Sequence, residues 1–194
     1  ANALNEDAVL KIYNAKNRPQ FNPLIVHVDS LLKAEPFIHN VSSEATKLAN
    51  AFWPGPLTIL FDKKQTVPDL VTAGSNRVAI RVPNHSLTLT LLQQIDFPLA
   101  APSANPSGYV SPTSAKHVYE SLQGMIPYIL DGGECTVGVE STIVGWNEDD
   151  ELEVYRLGGI SVEQIEEVLC KKIRISKKIT ENPDLTSFSS RFFA

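Results

Sequence analysis

The chain has 194 residues, 43% of them hydrophobic and 20% charged, enough for one sizeable core or one domain with a tail. A net charge of -5 argues against a protein whose whole surface coats nucleic acid and confines any anion site to a local patch. Cys135 and Cys170 make no disulfide framework, no apolar run approaches the ~20 residues that span a bilayer, and ANALNEDAV is no signal peptide, so a soluble cytoplasmic protein without membrane contact is expected.

Asn5 is a good N-cap, Glu6 and Asp7 suit the positive end of a helix, and Val9, Ile12, Tyr13 and Lys16 follow at helical spacing. Pro19 disfavours helical backbone at Arg18, so this helix is expected to end near Lys16. Leu24 to Val28 then reads as a buried strand. Ser43 to Phe52 reads as a second helix with Ala45, Leu48, Ala49 and Phe52 on one face, stopped by Trp53-Pro54-Gly55-Pro56 ahead of a strand from Leu57 to Phe61. Arg77 to Val82 is the next strand and Ser86 to Gln94 the next helix.

Phe97 to Ala101 is a short apolar run leading into PSANPSG, and Ser111-Pro112 is expected to open a helix with proline in its first position. Strands are expected over Ile126 to Leu130 and Glu140 to Val144, on either side of DGGECTVG, with a last strand from Glu153 to Arg156. Ser161 and Gln164 form a capping box for a final helix running to Leu169. The pattern fades beyond Ser176, which divides the chain into a domain over 1–175 and a tail or linker over 176–194. Short strands mixed with helices imply an α/β fold with a mixed sheet. Because a helix cap arrives at once, a preceding segment is expected to be missing.

Two cations flank the end of the first helix, Lys16 and Arg18, and extended backbone before Pro19 would aim them to one side. Such a pair either complements the helix dipole and its free carbonyls or grips a polyphosphate. Ser103 and Asn105 repeat the two-residue spacing in a loop stiffened by Pro102 and Pro106, either as an ordinary turn or as a set of ligand donors and acceptors at a strand end. Gly138-Val139-Glu140-Ser141-Thr142 sets hydroxyls beside a carboxylate, and Arg81 and Arg156 each end a strand. GxxxxGK[ST], GxGxxG and GxSxG are absent, and four scattered histidines with two cysteines propose no metal site. The chemistry left is electrostatic, with cations and polar donors around an anionic substrate.

In order along the chain, KNRP with NPLIVHV, WPGPLT, VAIRVP, PSANPSG with SPTSA, GVESTIV and YRLGGI resemble the YrdC family of threonylcarbamoyl-AMP synthases. The resemblance implies a twisted mixed α/β sheet with helices around a large concave, positively charged cleft. It implies synthesis of L-threonylcarbamoyl-AMP from L-threonine, bicarbonate or CO2, and ATP, with Mg2+ accompanying ATP and pyrophosphate released. The product would pass to the tRNA threonylcarbamoyl-transfer machinery that modifies adenosine 37.

By the same resemblance Lys16, Arg18, Ser103 and Asn105 form the catalytic set. Asn22, Arg77, Ser111 and Arg156 join Arg18 and Ser103 around ATP, and His27, Arg81, Ala101 and Ser141 hold threonine. The family's PTETVYGLGA-like opening segment is lacking, and Leu157 stands where the family often has proline. A double-stranded RNA or tRNA-binding module, and a paralogous domain handling another carbamoyl adenylate, are the alternatives.

Overall fold

Local capping chemistry sets the first helix. In the computed structural model, which describes residues 1–136 and 138–176, the Asn5 side chain accepts the Ala8 N–H and starts α1, Glu6–Lys16, whose Val9, Tyr13 and Lys16 are buried. The expected tail therefore lies, from residue 177 onward, outside the described residues. Strand β1, Ile25–His27, follows, then a short α2, Leu31–Ala34, and a 3-10 turn over Glu35–Phe37. Helix α3, Ser43–Phe52, occupies its expected span and buries Ala45, Leu48 and Ala49, with Ser42 as N-cap.

Strand β2, Leu57–Asp62, a short α4, Asp69–Thr72, and β3, Arg77–Arg81, come next. Helix α5, Ser86–Gln94, also matches its expected span and leads to β4, Leu99–Ala100. After α6, Ala115–Leu122, the chain forms β5, Thr142–Trp146, and β6, Leu152–Arg156. The capping box of Ser161 and Gln164 is made as expected and opens α7, Val162–Leu169, before β7, Arg174–Ile175.

The seven strands of the described residues form one mixed sheet in the order β4-β1-β3-β2-β5-β6-β7. β1 runs parallel to β3 and β2 parallel to β5, while β2–β3, β1–β4 and β5–β6 are antiparallel. The core joins Val26, Ile59, Val78, Ile80 and Val144 of the sheet to Val9, Leu48 and Ile165 of the helices. Each of these side chains is under 2% exposed, and burying each stabilises the fold by about 1.5–3 kcal/mol.

Register decides what shares an edge. His27 lies opposite Arg81 and opposite Leu99, Leu57 opposite Thr142, and Ile143 opposite Arg156. The ends of β1, β3 and β6 therefore meet the beginnings of β2 and β5 at one edge of the sheet.

Two expectations are corrected. Helix α6 starts after Ser114, whose side chain accepts the His117 N–H, so the Ser cap wins over proline and Pro112 stays in the preceding loop. Ile126 to Leu130 forms no strand: Tyr128 is 89% and Leu130 62% exposed, and among the described residues no neighbouring strand pairs with this run. An apolar run without a ladder partner or a surface to cover stays irregular.

Candidate functional site

The first helix ends at Lys16, as expected, but through a local stop at Asn17 rather than through Pro19. Asn17 takes the left-handed conformation (φ 48, ψ 44), its N–H reaches Asn14 O and Tyr13 O, and the Arg18 N–H bonds Tyr13 O at 2.9 Å. This six-to-one closure is a Schellman stop on asparagine, so Lys16 is still helical and the extended alternation that would aim Lys16 and Arg18 together does not apply.

Lys16 is 5% exposed, and its ammonium donates to Ser103 O at 2.5 Å and to Asn105 O. The Ser107 N–H returns to Lys16 O at 2.8 Å, so the PSANPSG loop is fastened to the helix end. Burial, with the nearby Arg18 charge, lowers the Lys16 pKa to about 8, and Glu140 opposes that shift. Arg18 donates through Nε to Asn22 O (3.2 Å) and through Nη2 to Pro23 O (2.8 Å), and burial lowers its pKa. The Tyr13 hydroxyl donates to Asn22 O and Leu70 O, both at 3.0 Å. Among the described residues neither cation bonds a carbonyl of α1 itself: Lys16 bonds the Ser103–Asn105 loop and Arg18 the Asn22–Pro23 turn ahead of β1.

Asn105 is buried; its Nδ2 donates to Tyr109 O at 2.6 Å while Oδ1 is buried without a hydrogen-bond partner, as is the Ser107 Oγ. Buried polar atoms are normally paired, so these two are exceptions within the loop. Asn105, Tyr109, Ser111, Thr113 and His117 line an open cleft of about 630 Å³, within the size range of small-molecule sites.

The sheet edge supplies the second group. Arg156, 6% exposed, donates Nε and Nη2 to Ser141 O (2.8 and 2.6 Å) and Nη2 to Ser141 Oγ (2.8 Å), and Ser141 Oγ meets Thr58 Oγ1 at 2.8 Å. Burial lowers the Arg156 pKa to about 9, with Glu140 raising it and Arg81 lowering it. Arg81 donates Nε to Gly55 O at 3.0 Å, and burial lowers its pKa. His27, beside it, is part-exposed as a residue, but its Nδ1 is buried without a hydrogen-bond partner. Burial and the Arg81 charge lower its pKa to about 4, so the ring is neutral at pH 7. Ala101 extends β4 by donating its N–H to Ile25 O at 3.1 Å.

Glu140 connects the groups and was not singled out as a site residue from sequence. Its Oε1 accepts from Ser111 Oγ at 3.0 Å, its Oε2 lies 3.7 Å from Arg156 Nη1, and its charge reaches Lys16, Arg18, Arg81 and Arg156. The signal was the carboxylate in GVESTIV; what was missing was the β5–β6 register that brings Arg156 across to it.

Arg77 is not part of this arrangement. It stands at the other end of β3, about 13 Å of strand from Arg81. There its Nη1 donates to Trp146 O (2.6 Å) and Tyr155 Oη (3.3 Å), with its guanidinium 5.4 Å from the Tyr155 ring centroid.

Gly158 holds the edge together. A Cβ there would fall 2.4 Å from Glu140 O and 2.5 Å from Thr142 N, so Gly158→Ala is expected to push apart the backbone that carries Glu140 and Ser141. We expect a cost of about 2 kcal/mol and a Tm loss of roughly 4–8 °C. A thermal melt checks this, and an unchanged Tm would show that the loop gives way freely.

The fold and site define an α/β domain that brings cations from a helix end and from strand ends within reach of one carboxylate. A family model named for Sua5, YciO and YrdC, and described as telomere recombination, matches residues 1–158. The chain belongs to this Sua5/YciO/YrdC family. It is 47% identical over 169 residues to the threonylcarbamoyl-AMP synthase of Pyrococcus abyssi, covering 87% of this chain and 49% of that one. The Bacillus subtilis threonylcarbamoyl-AMP synthase is also 47% identical, over 170 residues, again with 87% and 49% coverage. The crystal structure of P. abyssi Sua5 complexed with L-threonine superposes with a TM-score of 0.88 at 46% identity, over 93% of this chain and 52% of that one. The chain thus spans about half the length of these relatives. E. coli YciO, at 18% identity and a TM-score of 0.74, shares the fold.

Proposed function

We propose that this chain is the catalytic domain of a threonylcarbamoyl-AMP synthase, joining L-threonine, bicarbonate or CO2, and ATP into L-threonylcarbamoyl-AMP with release of pyrophosphate. The observation that carries this reading is the Lys16 ammonium on the carbonyls of Ser103 and Asn105, which unites two motifs distant in sequence into one polar corner. The relatives named for this activity, and the one solved with L-threonine, support it.

Threonine's amine adds to CO2 and loses a proton, a carbamate oxygen attacks the α-phosphorus, and the bond to the β-phosphate oxygen breaks. No protein covalent intermediate is needed, so the work is positioning and charge stabilisation. Lys16, Arg18, Ser103 and Asn105 hold the phosphates as charge moves onto pyrophosphate, and Asn22, Ser111 and Arg156 line the nucleotide. Arg81 meets threonine's carboxylate: its Nε is used by Gly55, and among the described residues its terminal nitrogens make no hydrogen bond. His27, Ser141 and the Ala101 backbone complete the amino-acid pocket. His27, neutral at pH 7, adds no cation beside the amine.

Among the described residues no three His, Cys, Asp or Glu side chains gather to hold a metal. Mg2+ would come carried on the nucleotide's own phosphates, where it would neutralise charge on the leaving group. The product would then serve tRNA threonylcarbamoylation.

The test is incubation of the protein with ATP, bicarbonate and L-threonine, reading pyrophosphate and threonylcarbamoyl-AMP. Pyrophosphate release that ignores threonine would overturn the reading. Arg18→Ala is expected to lower turnover about 100-fold. Its Tm should fall by only about 4 °C, because two carbonyl bonds are lost and no core volume. A collapse in Tm with residual turnover scaling to the folded fraction would assign Arg18 to the helix end alone.

A further inference from the structure

Four cations lie within charge reach of one carboxylate, and each is drawn out of water: burial lowers the pKa of Lys16, Arg18, Arg81 and Arg156 alike. Cations brought together in a shielded place repel one another unless an anion lies among them. The carboxylate whose charge reaches all four is Glu140. The other ion pairs among the described residues, Lys63–Asp69, Lys116–Glu120, Lys171–Glu44, Lys172–Glu166 and Arg174–Glu151, involve none of these cations.

The position of Glu140 is built. Its carbonyl accepts the Gly159 N–H at 2.9 Å, and Gly158 packs so close behind it that no side chain fits there. Its carboxylate is held by Ser111 Oγ at 3.0 Å and lies 3.7 Å from Arg156 Nη1. Yet the side chain is 51% exposed, so it can swing outward into solvent without leaving a buried hole. Fixed backbone, specific partners and an open way out describe a group made to occupy a place and to vacate it.

We propose that the Glu140 carboxylate is a built-in counter-ion that occupies the anion's seat in the empty site and is displaced from it by the nucleotide's phosphates. This inference rests on the nucleotide reading above. ATP brings several negative charges to the cations that Glu140 serves, and a carboxylate left among them would repel it. When Glu140 leaves, Ser111 Oγ and the Nη1 edge of Arg156 turn to the ligand. Apparent affinity is reduced by the fraction of molecules in which Glu140 holds the seat, so the carboxylate stabilises the empty protein and weakens ATP binding together.

The test compares wild type, Glu140→Gln and Glu140→Asp at low ionic strength, by thermal melting without ligand and by calorimetric titration with ATP. Glutamine keeps the shape and the Ser111 contact but removes the charge. It should lower the Tm of the empty protein by about 2–4 °C and tighten ATP binding about 10-fold. Aspartate keeps the charge and should stay near wild type in both. A Glu140→Gln variant that melts with wild type, or binds ATP no more tightly, overturns the proposal. Failure of all three proteins to bind ATP would count against the nucleotide reading instead, and the ligand-free melting difference would still decide the counter-ion role.

Discussion

Replacing Lys16 with methionine is expected to lower threonylcarbamoyl-AMP formation by two to three orders of magnitude, the scale of losing one preorganised charge donor. Methionine keeps the buried stem of a residue that is 5% exposed, so packing is spared. The carbonyls of Ser103 and Asn105 lose their charged donor, at a cost of about 2 kcal/mol and roughly 4–8 °C in Tm. Steady-state turnover and a melt on the same preparation separate the two effects. Lys16→Arg should restore the Tm in part and little of the rate, because a guanidinium fork does not reproduce a point charge on two converging carbonyls. Wild-type turnover in Lys16→Met would remove Lys16 from the chemistry. The lowered pKa adds a pH signature: ATP binding by the wild type should weaken as pH rises through about 8, where the ammonium of the empty site loses its proton.

The second large effect is acid sensitivity at His27. Its folded pKa, near 4, lies below the ordinary value of 6.5, so the unfolded chain takes up the proton first. The stability this confers is fully present above pH 6.5 and is lost as pH falls from 6.5 towards 4, reaching about 3 kcal/mol at most. Melting curves between pH 7 and 4.5 should show a decline several degrees steeper in wild type than in His27→Gln. The difference between the curves is the measure, since carboxylates such as Glu44, whose pKa is lowered by Lys171 and Trp146, lose stability in the same direction. Parallel curves would mean that the ring accepts a proton in the folded state at no cost.

What the sequence made legible follows from the range of the forces involved. Helices α3, α5 and α7 stand within a residue of their expected spans because caps, prolines and a hydrophobic stripe act locally. The run at Ile126 to Leu130 misled because strand identity needs a partner, and partners are chosen by the rest of the sheet. The one-turn helices α2 and α4 carry too little pattern to be read. At the site, Lys16, Arg18, Ser103 and Asn105 read singly as a helix end and a turn, yet the two cations bond loop carbonyls outside the helix. Only their order along the chain with the other family motifs favoured a shared role. Arg77 and Arg81 begin and end the same strand, and nothing local distinguishes the one that stays on the sheet's far end from the one beside His27. Glu140 was hidden because its importance lies in four cations gathered from α1, β3, β6 and the turn after α1.

The sheet order carries a consequence in time. Leu57 pairs with Thr142, and Lys16 binds a carbonyl 87 residues along the chain, so the bonds that join the separate motifs of the site close long loops. Such closures are slow and come after local helices form. Until β5 has docked beside β2, the chain possesses the helix that carries Lys16 but not the strand pairing that sets Glu140 and Arg156 beside the other cations. Acquisition of ATP binding during refolding is therefore expected to trail the recovery of helical signal and to mark completion of the sheet.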